Sequence, residues 1–221
     1  MIVVLKPQNI PVQEDESGDR DMLTIIKEYI KVKYEKPGEV FLGLVHRLDR
    51  PTGGVMVFAK TSKAAARLSE AIREGEIDKT YLTVVIGEPR EKSGRLIHFL
   101  QKNPATNNVM IVPQSTEDAK RAELLYKVLD TKNGLSLVQV DLITGRSHQI
   151  RVQMNSLGTP VFGDVRYGGD KVKKGNNLAL WATELKFNHP VTKERLVFKV
   201  YPPAAEAPWD LFDINRFLMI R

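Results

Sequence analysis

The chain has 221 residues, 42% of them hydrophobic and 7% aromatic, with a formal net charge of +6, enough to build one large or two small packed domains and too apolar for disorder over most of its length. It has no cysteine, which excludes disulfides, thiolate zinc sites and cysteine nucleophiles and fits a reducing cytoplasm. The opening MIVVLKPQNI breaks its apolar run at Lys6-Pro7, unlike a signal peptide, and no window approaches the ~18 apolar residues of a membrane span, so a soluble cytoplasmic protein is expected.

Residues 2–5 read as a short buried strand. The polar loop QEDESGDRD then supplies aspartates able to cap a helix in which Met22, Leu23, Ile25, Ile26, Tyr29 and Ile30 follow amphipathic spacing. KYEKPGE ends it. GVMVFAK (54–60) predicts a buried strand, and Ser62 a cap for a helix whose face is Ala65, Leu68, Ala71 and Ile72 and whose stop is Gly75. TYLTVVIG (80–87) is β-branched and aromatic, hence strand. RAELLYKVLD (121–130) and LSLVQVDL (135–142) flank TKNG, whose Asn-Gly pair predicts a hairpin turn. Further strands are expected at 95–100, 108–113, 178–182 and 195–201. QKNPATNNVMIVPQSTED (101–118), rich in Asn and Pro, is expected to be a long mobile loop or a projecting hairpin. No repeat or Pro/Ser-rich linker divides the chain, so 1–221 reads as one domain. Hairpins outnumber βαβ alternation, which predicts an α+β fold with a mostly antiparallel mixed sheet flanked by helices.

Three stretches concentrate polar chemistry. HRLDRPTGG (46–54) sets Asp49 between Arg47 and Arg50, and residues 44–63 carry Arg47, Arg50, Lys60 and Lys63 against Asp49 alone, a local +3. Two readings stand: a charged surface turn, or an ionised carboxylate positioned as nucleophile or base, with Gly53 and Gly54 allowing close approach. LITGRSHQIRVQMNSLGTPVFGD (142–164) predicts a helix from about Ser147 to Gly158, with His148 and Arg151 on one face and Gly145 beside an N-terminus suited to anions. Adjacent helical residues diverge, which argues against Ser147 and His148 as nucleophile and base. DKTYLTVV (78–85) places Tyr81 early in a strand, either as a core tyrosine or as a ring that stacks on a base. The histidines at 46, 98, 148 and 189 show no metal-ligand spacing, so no metal is expected, and the basic balance suggests a polyanionic partner.

Taken together, KPQNIPV, HRLDRPTGG, K-T-Y, TGRSHQIR, GTPVFGDxxYG and LALWATELKFNHP occur in the order of the RluA-type pseudouridine synthases, and from residue 2 to 202 the chain resembles that family in its short form without an S4-type domain. The resemblance implies an isomerase that converts uridine in structured RNA (ribosomal RNA or tRNA) to pseudouridine by flipping the base, without a cofactor. It implies Asp49 as the catalytic aspartate, Tyr81 as the ring that stacks on the target base and Arg151 as the partner of the aspartate. Leu180 would line the base pocket and Arg50 would lie near the flipped nucleotide. Arg47 and Arg146 would contact phosphate or backbone, and His148 stands beside them as a substrate-binding candidate. A monomer with no obligate protein partner is expected.

Departures occur at Gly53 (usually Ser), Gln153 and Trp181 (usually His), and Asn9 (a glycine position). Two other classes would make different demands on the sequence. A silent RNA-binding module would not need the full set Asp49, Tyr81 and Arg151. A glycoside hydrolase would need two cooperating carboxylates, and no second acid is evident beside the three motifs.

Overall fold

The computed structural model describes residues 1–218. Its strands are β1 (Ile2–Lys6), β2 (Gly43–Leu44), β3 (Gly53–Ala59), β4 (Asp78–Ile86), β5 (Ser93–Lys102), β6 (Val109–Val112), β7 (Lys120–Lys132), β8 (Leu135–Leu142), β9 (Leu180–Asn188) and β10 (Arg195–Lys199). The helices are α1 (Met22–Lys33), α2 (Ser62–Arg73), α3 (Gln149–Ser156) and α4 (Ile214–Leu218). The ladders β1–β3, β2–β3, β9–β10, β4–β8, β7–β8, β5–β7 and β5–β6 are all antiparallel, as expected for an α+β chain built from hairpins. No helix among the described residues is long and apolar enough to cross a membrane.

The chain groups into two compact units, Met1–Asp78 with Glu184–Val200, and Lys79–Thr183 with the described residues from Tyr201 on. Two of the three boundaries fall at the first residue of β4 and inside β9, not in linkers, which is why composition shows no seam there.

In the first unit, β3 is buried along its whole length, Gly53 to Ala59, so it reads as an unbroken apolar run and not as an alternating one. Val55, Val57 and Ala59 pack with Ala64 and Leu68 of α2, Ile77, and Leu185 and Phe187 of β9. Each large side chain buried in this way stabilises the unit by roughly 1.5–3 kcal/mol. α2 is capped by Thr61, whose Oγ1 accepts the Ala64 N–H at 3.2 Å, and not by Ser62 as expected. Thr61 alone has the extended backbone a cap needs, and Ser62 is already helical. α1 is capped by Asp21, which accepts from Thr24 N at 3.0 Å, and buries Met22, Ile26 and Ile30 one turn apart.

The second unit is built on antiparallel strands in the spatial order β4-β8-β7-β5-β6. The β7–β8 turn has both Asn133 and Gly134 at positive φ, 52° and 74°, the conformation that selects Asn-Gly in tight hairpins. Of the two expectations for 101–118, the hairpin is found: β5 and β6 pair, and Asn103 closes the tip by accepting the N–H groups of Ala105 and Thr106. α3 begins at Gln149, later than the sequence suggests. His148 is its N-cap in left-handed conformation, φ 52°, so His148 and Arg151 do not share a helix face.

Candidate active site

Asp49 and Arg50 occupy a turn just ahead of β3, closed by the Thr52 N–H donating to the Asp49 carbonyl at 2.9 Å. The N-terminal KPQN segment straps this turn. Lys6, with no exposed surface, donates from Nζ to the carbonyls of Pro7 (2.9 Å), Arg50 (2.9 Å) and Thr52 (2.8 Å). Gln8 Nε2 donates to Pro51 O at 2.9 Å, and Asn9 N–H to Arg50 O at 2.9 Å. Burial pulls the Lys6 ammonium down to about 8, a shift that the Asp49 charge opposes and the Arg50 charge reinforces. The Asp49 backbone is thus fixed from behind by a buried cation. Asn9 has φ 65°, the left-handed region that a family glycine adopts freely and asparagine tolerates best, so this departure keeps the strap intact.

The arginines flanking Asp49 differ in engagement. Arg50 donates to Asn9 O (3.1 Å) and Ser17 Oγ (2.8 Å) and pairs with Asp15 and Asp19. Its charge is matched by the acidic loop, which the sequence did not suggest. Arg47 is exposed and reaches Gln13 Oε1 at 3.5 Å. Behind the turn, His46 Nε2 accepts the Val57 N–H at 3.0 Å and ties the motif to β3. Gly54 has φ 127°, which explains the glycine there; nothing in the structure explains Gly53.

In the second unit Arg151 and Asp164 form a two-pronged pair: Nε to Oδ2 at 2.8 Å and Nη2 to Oδ1 at 2.7 Å, with side chains 7% and 0% exposed. Asp164 is the acid that sequence reasoning overlooked, and it corrects the expectation that no second carboxylate accompanies the motifs. Both of its oxygens are engaged by Arg151. Gly163 makes the turn possible: its φ is +77°, and a Cβ would stand 2.1 Å from Asn177 O. Tyr167 lies 5.1 Å beneath the Arg151 guanidinium. Its hydroxyl accepts the Val109 N–H at 2.9 Å and lies 2.6 Å from His148 Nδ1. Arg166 grips the β5–β6 tip through Thr106 O and Asn108 Oδ1. Signals for this cluster were present in GDVRYG, an acid and a tyrosine three residues apart beyond a glycine.

Tyr81 lies in β4 opposite Val140 and is 8% exposed; Leu180 opens β9 and is 4% exposed. Gln153, in place of histidine, is fully buried, and its Nε2 lies 3.3 Å from Leu96 O and 3.0 Å from His98 Nδ1, joining α3 to β5. The structure therefore brings Asp49, Arg50 and Arg47 into one turn, and gathers His148 and Arg151 around Tyr167. Arg146 belongs to a separate network through Gln149. No group of three or more His, Asp or Glu side chains among the described residues is arranged to hold a metal ion.

Residues 1–156, which carry the Asp49 turn, the Tyr81 strand and Arg151, match the family model described as RNA pseudouridylate synthase. The chain belongs to the RNA pseudouridylate synthase family. Membership agrees with the RluA-type pattern of HRLDRPTGG and GRSHQIR. The chain is 34% identical over 215 residues to the Bacillus subtilis protein named uncharacterized RNA pseudouridine synthase YhcT, covering 95% of this chain and 66% of that one. It is 37% identical over 179 residues to the Escherichia coli ribosomal large subunit pseudouridine synthase C, covering 77% and 55%. It thus spans roughly half to two thirds of the length of these relatives. The solved structure of human RNA pseudouridylate synthase domain containing 4 superposes with a TM-score of 0.75 at 24% identity, over 91% of this chain and 85% of that one, which shows a shared fold.

Proposed function

We propose that the chain isomerises uridine to pseudouridine in structured RNA, with Asp49 as the catalytic carboxylate and no cofactor. The observation that carries the reading is the strapped turn: two bonds from the buried Lys6 ammonium, to the carbonyls of Arg50 and Thr52, hold the backbone around Asp49, as a preorganised carboxylate requires. The N1–C1′ bond breaks, the uracil turns, and a C5–C1′ bond forms as the C5 proton leaves and N1 ends protonated. Atoms and electrons balance without redox change. Asp49 acts either on C1′ as nucleophile or on the C2′ proton as base.

In this reading Tyr81 stacks on the target base, Leu180 lines its pocket, and Arg151, His148, Arg146, Arg50 and Arg47 contact substrate. Flipping the uridine costs a few kcal/mol, offset by stacking and phosphate contacts. Relatives named as ribosomal large subunit enzymes favour ribosomal RNA over tRNA. We place the protein in the cytoplasm as a monomer without an obligate partner, acting as one catalytic domain.

The test is Asp49→Asn incubated with total RNA, read by pseudouridine mapping beside wild type. Pseudouridine formation is expected to vanish while RNA affinity stays within a few-fold. Undiminished activity in Asp49→Asn would falsify the assignment, and sites mapped only in tRNA would overturn the ribosomal preference.

A further inference from the structure

A cleft of about 430 Å³ opens in the second unit between β5, the start of β7 and the loop before α3. Its polar lining includes Lys102, Lys120, Arg146, Gly145 and Ser147, with Asp118 as the only acid. The neighbouring arginines 95 and 121 share one acid, Glu123, which both bind and which offsets one of their two charges. Burial pushes the Glu123 carboxyl up, but the two arginine hydrogen bonds outweigh it and leave it below the usual carboxylate range. Lys102, Lys120 and Arg146, by contrast, enter no ion pair with the described residues. The fold thus ties two arginines to one shared acid and leaves three further cations facing one cleft.

Arg146 is also preorganised. Its Nε donates to Arg121 O at 2.9 Å and its backbone N–H to Gln149 Oε1 at 2.9 Å. Gln149 is fully buried, and is itself held by the Thr144 hydroxyl at 2.9 Å and by Glu123 O at 3.0 Å. The Nε bond fixes the guanidinium plane, and neither Nη group has a partner among the described residues. A planar fork so presented suits a phosphate group. Lys79 comes up under Gly145, its Nζ 3.5 Å from where a Cβ there would stand. Burial lowers the Lys79 pKa, so an anion close by would restore part of the lost solvation. The cleft is far larger than one phosphate needs and has room for the riboses on either side of a phosphodiester.

We infer that this cleft binds a backbone phosphodiester of the RNA, gripped by Arg146, Lys102 and Lys120. The inference rests on the reading that the protein acts on RNA. A free phosphate or a mononucleotide shares the chemistry, so the test separates the sources.

The double variant Lys102→Gln/Lys120→Gln is compared with wild type for binding a fluorescein-labelled single-stranded RNA of about 20 nucleotides, from about 50 to about 300 mM KCl. The slope of log K against log salt is expected to fall by about one to two in magnitude. Lys27→Gln/Lys31→Gln, on the exposed face of α1, removes the same charge and is expected to keep the wild-type slope. Equal slopes and affinities in all three proteins overturn the inference. A second arm follows the Gly145, Arg146 and Ser147 amides by NMR. Shifts with the RNA that reverse in high salt support it. Saturation by inorganic phosphate with no response to the RNA overturns it in favour of a free-anion site. Pseudouridine mapping of the same wild-type sample keeps the two readings apart. Normal isomerisation with an unmoved slope removes the cleft alone, and a cleft that binds RNA in a protein making no pseudouridine removes the proposed activity alone.

Discussion

The carboxylate of Asp164 takes both prongs of the Arg151 guanidinium at 2.8 and 2.7 Å, with neither side chain more than 7% exposed. The same Oδ1 also accepts the N–H groups of Arg166 and Tyr167 at 3.2 and 3.3 Å. One acid therefore orients the arginine and the loop beneath it.

Removing that acid strands a buried cation. Asp164→Ala is expected to destabilise the fold by about 3–5 kcal/mol in urea unfolding followed by tryptophan fluorescence. Replacing both partners, Arg151→Met with Asp164→Leu, should recover most of the loss, because no charge is left buried. A loss below about 1 kcal/mol in the single variant would sink this account.

Lys6 predicts a pH dependence with a definite sign. Its folded pKa of about 8 lies below its ordinary 10.5, so between these values the unfolded chain binds more protons and stability rises with pH. Below about pH 8 both states are protonated and the burial cost is present in full, on the order of 3 kcal/mol. Wild-type stability minus that of Lys6→Met is therefore expected to be flat from about pH 6 to 8 and to climb from about 8 to 10.5. A difference that stays level over the upper range contradicts the buried ammonium.

Tyr167 joins the β5–β6 hairpin to His148 through one hydroxyl. Tyr167→Phe leaves the Val109 N–H without its acceptor, at a cost of about 1–3 kcal/mol. Hydrogen exchange at the Val109 amide should accelerate more than exchange in β8, which does not touch the hydroxyl. Equal changes in both places would point to general loosening instead.

Two glycines at positive φ separate strain from collision. Gly134 has open space around its missing Cβ, so Gly134→Ala should cost only the left-handed penalty of about 1–2 kcal/mol. Gly163→Ala meets Asn177 O at 2.1 Å and should lose more than about 4 kcal/mol. Thermal melts of the pair decide it, and comparable shifts would refute the steric argument.

Most of the scaffold was legible because its signals are local. The β-branched run of β4, the Asn-Gly turn between β7 and β8, and the Met22, Ile26 and Ile30 stripe of α1 each depend on residues a few positions apart. One error sits where a distant group intervenes, and another is a local shift by one residue. His148 reads as helical, yet it caps α3 in left-handed conformation, where its Nδ1 meets the Tyr167 hydroxyl nineteen residues on. Thr61 displaces Ser62 as a cap by one residue, which composition does not resolve because both side chains carry the same hydroxyl.

The candidate site divides in the same way. Asp49, with Arg47 and Arg50 on either side and glycines after it, stands out in sequence as a charged turn, a local pattern, and its reading as the catalytic carboxylate rests on the resemblance of HRLDRPTGG and GRSHQIR to the family's motifs. Only tertiary structure placed the Lys6 ammonium against the carbonyls of Arg50 and Thr52, more than forty residues away. Only tertiary structure gave Arg151 to Asp164, matched Arg50 with Asp15 and Asp19, and set Arg146 beside a cleft with no ion pair among the described residues. Periodicity and turn chemistry act over a few bonds and can be read along the chain. Which charge meets which depends on where folding brings side chains out of water, and linear spacing does not encode that.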